Sequence, residues 1–223
     1  MLSFKSYLLE GVNDPAIFKA IFLAGGPGSG KSFIVGKTGL QSMGFKLINS
    51  DNAFERALKK ANLAPTPDNI SSPEGQQLRN KSKELTSKQM QLALDGRLGL
   101  VIDGTGKDFE KIQGQVNELR KLGYAVMMIF VNTDRETAKS RNKQRPRSLP
   151  DDMVTKLWNA VQKNIGKFQN LFNDRLVVID NSDGANYEGA VLNAYRKAQK
   201  WSKEAPTNPI ARKWIAQVRK NNG

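Results

Sequence analysis

The chain has no cysteine and no histidine. The first absence excludes disulfides and thiolate metal sites. The second excludes every mechanism with an imidazole base, the serine-hydrolase triad among them. Acid–base chemistry must then fall to Asp, Glu, Lys or Tyr. Long apolar runs are also missing, and none approaches the roughly 20 residues a membrane-spanning helix needs. The opening "MLSFKSYLLEGVNDP" carries Glu10 and Asp14 close to its few apolar residues and does not read as a secretory signal. A soluble cytoplasmic protein without a membrane partner is the expectation. Acidic residues are few: 21 Asp+Glu face 35 Lys+Arg, a net charge of +14. That imbalance favours an anionic partner, a nucleotide or a nucleic acid bound through a basic surface. The plainer alternative is an excess of solvated surface lysine.

What is present suffices for one large domain with an appendage: 223 residues, 39% of them hydrophobic. Five short apolar runs recur at wide spacing, "AIFLAG" (20–25), "FKLINSD" (45–51), "LGLVIDG" (98–104), "YAVMMIFV" (124–131) and "RLVVID" (175–180). None alternates strictly, which suits strands buried on both faces. Segments of helical spacing lie between them, at 30–43, 52–62, 73–96, 108–122, 134–144 and 150–170. The pattern predicts an α/β doubly wound sheet of about five mainly parallel strands, with helices on both faces. Residues 63–75 read as an exposed loop, and a domain spanning 1–186 is expected. The remainder, 187–223, reads as a basic helical extension with eight Lys/Arg and two acidic residues. It either contacts nucleic acid or packs Trp201 and Trp214 on the domain.

Residues 25–32 read GGPGSGKS, the G-x-x-x-x-G-K-[ST] pattern of a phosphate-binding P-loop. Such a loop holds a nucleoside triphosphate through Gly25, Gly26, Pro27, Gly28, Ser29 and Gly30, whose backbone N–H groups form an anion nest. The following helix adds its N-terminal dipole. Lys31 supplies charge to the β- and γ-phosphates, and the Ser32 hydroxyl is placed to ligate Mg²⁺. Ligands of such sheets bind beyond the carboxyl ends of the strands. There "INSD" ends in Asp51, a candidate general base for an acceptor hydroxyl; the alternative is that Asp51 or Ser50 caps the next helix. "VIDGTG" presents Asp103, a candidate Mg²⁺ carboxylate or else a strand-end turn. The segment 131–154 gathers Arg141, Arg145 and Arg147. Arg141 and Arg145, four apart, would share a helix face and close as a lid, about 139–152, over the transferring phosphoryl. Asn181, after the fifth run, falls by position where an adenine ring passes.

These stretches, GGPGSGKS, "INSD", "IDGTG" and "RNKQRPRSLP", stand in this order over roughly 20–185. They resemble the P-loop kinases of the polynucleotide kinase and zeta toxin group. Phage polynucleotide kinases carry an arginine, three residues, an arginine and then Val-Pro; here Arg141, Arg145 and Leu149-Pro150 match in type and spacing. The resemblance implies an ATP- and Mg²⁺-dependent kinase, with Asp51 as general base, Lys31 on the phosphates and Arg141 and Arg145 in the lid. It points to a bacteriophage or bacterial origin. One departure stands out. Where polynucleotide kinases place an arginine three residues after the base, to hold the acceptor's phosphate, this chain has Phe54. The acceptor expected from charge is a nucleic-acid 5′-hydroxyl. The alternatives are a UDP-sugar, as for zeta toxins, which phosphorylate a nucleotide-sugar precursor of the cell wall, and a regulatory ATPase that binds nucleic acid. A toxin restrained by a protein antitoxin is a further expectation.

Overall fold

The structure, a computed structural model, describes residues 12–145 and 148–222. Its centre is a sheet of five strands: β1 (Lys19–Ala24), β2 (Lys46–Ile48), β3 (Leu100–Asp103), β4 (Ala125–Asn132) and β5 (Leu176–Asp180). The order is β2-β3-β1-β4-β5, and every pairing is parallel. Parallel neighbours need crossovers, which explains the helices between strands. These are α1 (Lys31–Thr38), α2 (Ser50–Lys60), α3 (Pro67–Ser71), α4 (Pro73–Asp95), α5 (Phe109–Lys121), α6 (Arg135–Lys143), α7 (Asp151–Gln162) and α8 (Ile165–Phe172). Two more follow β5, α9 (Tyr187–Lys203) and α10 (Pro209–Asn222).

The unbroken apolar runs follow from burial on both faces. Ala20, Phe22 and Ala24 of β1 join Ile112, Val116 and Phe168 in one core, and Ile21 and Leu23 join Ile34, Val191 and Trp201 in the other. Side chains two apart share a face of a strand, so one strand feeds both layers. The helix α9 belongs to the second layer through Val191, Ala194, Ala198 and Trp201. In α10, Ala211 is fully buried, and the Trp214 ring meets Phe18 edge-on at 5.4 Å. The chain after residue 186 therefore continues the packed layers.

Several boundaries differ from those read in the sequence. The second strand stops at Ile48, and Asp51 lies in the first turn of α2. The 63–75 segment holds the short α3, opened by Thr66 as cap and Pro67. The 150–170 segment is two helices, broken at Lys163 and Asn164; the Asn164 N–H donates to the Val161 carbonyl at 3.1 Å, and its side-chain amide donates to the carbonyls of Gly106 and Lys107, both at 3.0 Å. Helix α6 ends at Lys143, so Arg141 and Arg145 do not share a helix face. Arg147 lies outside the described residues.

Strands β3 and β4 flank β1 on opposite sides. The connection direction switches there, and the crevice beyond the end of β1 is where such sheets take their ligands.

Candidate active site at the carboxyl end of the sheet

The P-loop leaves β1 and is anchored on both sides. Gly25 N–H donates to the Thr105 carbonyl at 3.1 Å, and Gly104 N–H donates to the Leu23 carbonyl at 3.0 Å. Two glycines are required by position. Gly28 has φ +73°, and a Cβ there would stand 2.2 Å from the Ala138 carbonyl oxygen of α6. Gly30 caps α1 at φ +81°, and its Cβ would meet the Asn181 amide at 2.4 Å. Both conformations are ones L side chains rarely adopt. No side chain caps α1, so its first N–H groups and its dipole are left for an anion. Ser32 is exposed on the first turn of this helix.

Lys31 folds back to donate to the Gly25 carbonyl at 2.9 Å. Burial pushes its ammonium below the usual lysine range, the Asp103 carboxylate pulls it back up, Arg145 depresses it further and Asp51 raises it. One lysine thus feels both candidate carboxylates and one lid arginine.

Asp103 ends β3. Burial raises its carboxyl above the usual range; Lys31 opposes this, Asp51 adds to it, and hydrogen bonds from Asn49 and the Gly104 N–H oppose it. One oxygen, Oδ2, accepts from Asn49 Nδ2 at 2.5 Å. The other, Oδ1, is buried without a protein partner. An orphaned buried carboxylate oxygen costs free energy unless water or a cation meets it. The donor set here, one carboxylate and one hydroxyl, fits Mg²⁺, which keeps several waters and shares substrate phosphates. Among the described residues no cluster of three or more acidic groups forms a protein-only metal cage.

Asn49, unmarked in the sequence, is the cap of α2. Its Oδ1 accepts from the N–H groups of Asp51 at 2.8 Å and Asn52 at 3.1 Å. Neither Asp51 nor Ser50 caps the helix, and Asp51 stands exposed on its first turn. An Asn just ahead of an apolar-periodic helix is a recognised start signal, and it was available. The bond from Asn49 to Asp103 crosses 54 positions and had no local signature.

Asn181, just after β5, braces the loop on the other side. This side chain is 5% exposed and donates to the Ser29 carbonyl at 2.8 Å, so it clamps the P-loop from below. The Asn181 backbone carbonyl accepts from Arg141 Nη1 at 2.7 Å, and Arg141 Nη2 donates to Asp183 Oδ1 at 2.7 Å. A Cβ on Gly30 would lie 3.9 Å from that guanidinium, which places Arg141 beside the loop. Arg145 follows α6 and is exposed. The turn that carries it is held by Asn142, fully buried, which brackets Leu149 by donating to its carbonyl at 2.8 Å and accepting from its N–H at 3.1 Å. Trp158 of α7 donates to the Thr133 carbonyl at 2.8 Å and brings that helix to Gly26. Lys31, Asp103, Asp51 and Arg145 are thus electrostatically coupled, Arg141 and Asn181 brace the same loop, and Ser32 starts the same helix.

Comparisons with known proteins bear on the fold and the family. A comparison with curated proteins returned no match. Among solved structures, the PezAT chromosomal toxin–antitoxin system of Streptococcus pneumoniae superposes with a TM-score of 0.55 at 14% identity, covering 91% of this chain and 98% of that one. The AvrRxo1-ORF1:-ORF2 complex with ATP gives 0.60 at 17% identity, over 79% of this chain and 59% of that one. A gluconokinase from Sinorhizobium meliloti 1021 gives 0.50 at 14% identity, over 84% and 95%. At these identities the likeness is one of fold, the kinase-like P-loop fold. The family model of the zeta toxins matches residues 12–191, and with that match, over most of its length, the chain belongs to the Zeta toxin family.

Proposed function

We propose that the protein is an ATP-dependent, Mg²⁺-requiring phosphotransferase that acts on a hydroxyl. The observation that carries this reading is the glycine loop between β1 and α1, with Gly28 and Gly30 at positive φ, no side chain capping α1, and Lys31 folded back onto the Gly25 carbonyl. The loop from Gly25 to Gly30 takes the phosphates through its N–H groups, and Lys31 exchanges the Gly25 carbonyl for phosphate oxygens. Ser32 and Asp103 would hold Mg²⁺, the Asp103 Oδ1 being otherwise without a protein partner. When bound, the ion would neutralise negative charge on the phosphates. Asp51 takes the acceptor's proton as the acceptor oxygen bonds the γ-phosphorus and the bond to the β-phosphate oxygen breaks. Arg141 and Arg145, with Arg147 in support, stabilise charge on the transferring group. Asn181 serves by holding Ser29, a positioning role in place of contact with the base.

For the acceptor, family membership favours the hydroxyl of a nucleotide-linked sugar. Phe54 supports it: the side chain one turn after Asp51 is 1% exposed and aromatic, not an arginine for a polynucleotide phosphate. The net charge of +14 favours a second reading, a nucleic-acid 5′-hydroxyl. The PezAT neighbour, by its description a toxin–antitoxin system, makes a protein antitoxin a proposed partner. Incubation with γ-labelled ATP and a panel of UDP-sugars, nucleosides and 5′-hydroxyl DNA and RNA separates the readings, since label enters one class. Asp51→Asn is expected to lower transfer roughly 10²–10⁴-fold with ATP binding nearly unchanged. Full turnover by Asp51→Asn would remove the aspartate from its role. Phosphate release without any labelled acceptor would instead support the regulatory ATPase.

A further inference from the structure

A polar cavity, about 360 Å³, lies at the other end of the sheet from the P-loop, where β1 and β4 begin. The 204–208 strap between α9 and α10 forms one wall, and the end of α5 and the turn Asn173–Arg175 form others. Three cations line it, Lys19, Arg120 and Arg175. Lys19 is 3% exposed. Its ammonium donates to the Glu204 carbonyl at the end of α9 and lies 5.7 Å from the Trp201 ring centre. Arg175 stands 6.0 Å from the same ring, and Arg120 donates to the Leu171 carbonyl at 2.9 Å. Among the described residues none of the three forms an ion pair. Two carboxylates, Asp174 and Glu204, also border the cavity; both are exposed, as is Arg120, and Glu204 is the charge Lys19 feels most, so three cations face two carboxylates.

We propose that this cavity binds a small phosphorylated anion, with Lys19, Arg120 and Arg175 as its cationic contacts. An ammonium offers three donors and a guanidinium five; the bonds just described use one donor each on Lys19 and Arg120. Planar forks and a point charge together suit a tetrahedral phosphoryl group. A buried ammonium beside a guanidinium is unfavourable by itself, since burial and Arg175 both drive Lys19 below the usual lysine range while Glu204 opposes them. A bound dianion reverses that balance. The bordering backbone is built at some cost: Phe18 and Asn173 hold φ +55° and +50°, conformations that side chains of this kind rarely take. The volume exceeds that of a bare phosphate, so a phosphate ester with a compact polar body is the ligand class. The site shares β1 with the P-loop but lies about 20 Å away, at roughly 3.3 Å per residue over that strand. It does not depend on the kinase reading.

The test uses the full chain carrying Lys31→Met, which silences the P-loop. Calorimetric titration with glucose 6-phosphate at low ionic strength is expected to show one saturable site. Arg120→Gln and Arg175→Gln should each weaken it about tenfold or more, the loss expected for a hydrogen bond to a charged group. Arg120→Lys should fall between, and Arg196→Gln, on an exposed part of α9, should change nothing. Circular dichroism of each variant keeps misfolding separate from lost binding. Inorganic phosphate binding as tightly as the ester, with the same response to the variants, would support the site and assign it to free phosphate. Absence of saturable binding, indifference to both arginine variants, or binding of a single-stranded oligonucleotide alone would overturn the proposal.

Discussion

Each end of β1 holds a lysine whose ammonium is driven down by burial, and the two ends stabilise it differently. Lys19 begins the strand and is held by a helix-terminal carbonyl and an indole face. A helix C-terminus carries partial negative charge, and an aromatic ring attracts cations, so both partners are built into packed elements. Lys31 follows the strand and is held by the Gly25 carbonyl of its own loop, with Asp103 and Asp51 as counter-charges. Its partners are a loop carbonyl and two carboxylates that, in the proposed reaction, have other work to do. A lysine meant to stay is anchored on secondary structure; one meant to exchange partners is parked on a loop. The difference appears only where both ends of one strand are compared.

The strongest way to break the contrast is at the loop. Gly28→Ala places a methyl against the Ala138 carbonyl at a positive φ. It should cost about 3 kcal/mol of stability and remove ATP binding, read by denaturant unfolding and by calorimetry. Next come the lid cations. Arg141→Ala and Arg145→Ala should each lower phosphoryl transfer about 10³-fold, with less effect on the KM for ATP. Arg141→Ala should also loosen the loop, because it frees the Asn181 carbonyl; Arg145→Ala should not. A single-turnover assay beside thermal unfolding distinguishes them.

The sheet was legible because burial on both faces writes itself as five apolar runs, and the P-loop because its backbone demands glycines at fixed spacing. The coupling around it was not. Asn49, Asn142, Asn164 and Asn181 each bridge segments distant in sequence or bracket a turn, and a lone Asn in a loop looks the same whether solvated or buried. Arg141 and Arg145 were placed on one helix by their spacing alone; the helix ends at Lys143, between them. Helix periodicity says which residues would share a face if the helix continued, and nothing about whether it does.

A smaller effect sharpens the comparison from the carboxylate side. Burial raises the Asp103 carboxyl, so the folded chain binds more protons than the unfolded one between the ordinary aspartate value and the raised one. Stability therefore falls as pH rises through that window, and the loss is complete above it. Asp103→Asn should abolish Mg²⁺-dependent transfer yet stabilise the nucleotide-free protein at neutral pH by about 1 kcal/mol, a usual size for relief at a functional site. The gain should vanish in acid, below the ordinary aspartate range. Melting curves across pH measure it. Lys31 has the opposite sense: a lowered lysine makes stability rise with pH up to the ordinary lysine value, so Lys31→Met should flatten the alkaline side.

Asn49 offers the finest separation. Its Oδ1 caps α2, and its Nδ2 holds Asp103. Serine keeps the capping oxygen but has no amide to reach the carboxylate; alanine has neither. Asn49→Ala should cost about 1 kcal/mol, and Asn49→Ser only a few tenths, if capping alone sets stability. Loss of the bond to Asp103 is common to both, so both should require more Mg²⁺ for half-maximal transfer by a similar factor. The two readouts then diverge, with stability following the cap and Mg²⁺ demand following the amide. If Mg²⁺ demand instead tracked stability across the pair, Asn49 would be a helix cap and nothing more, and the tie between the α2 base and the β3 carboxylate would lose its chemical role.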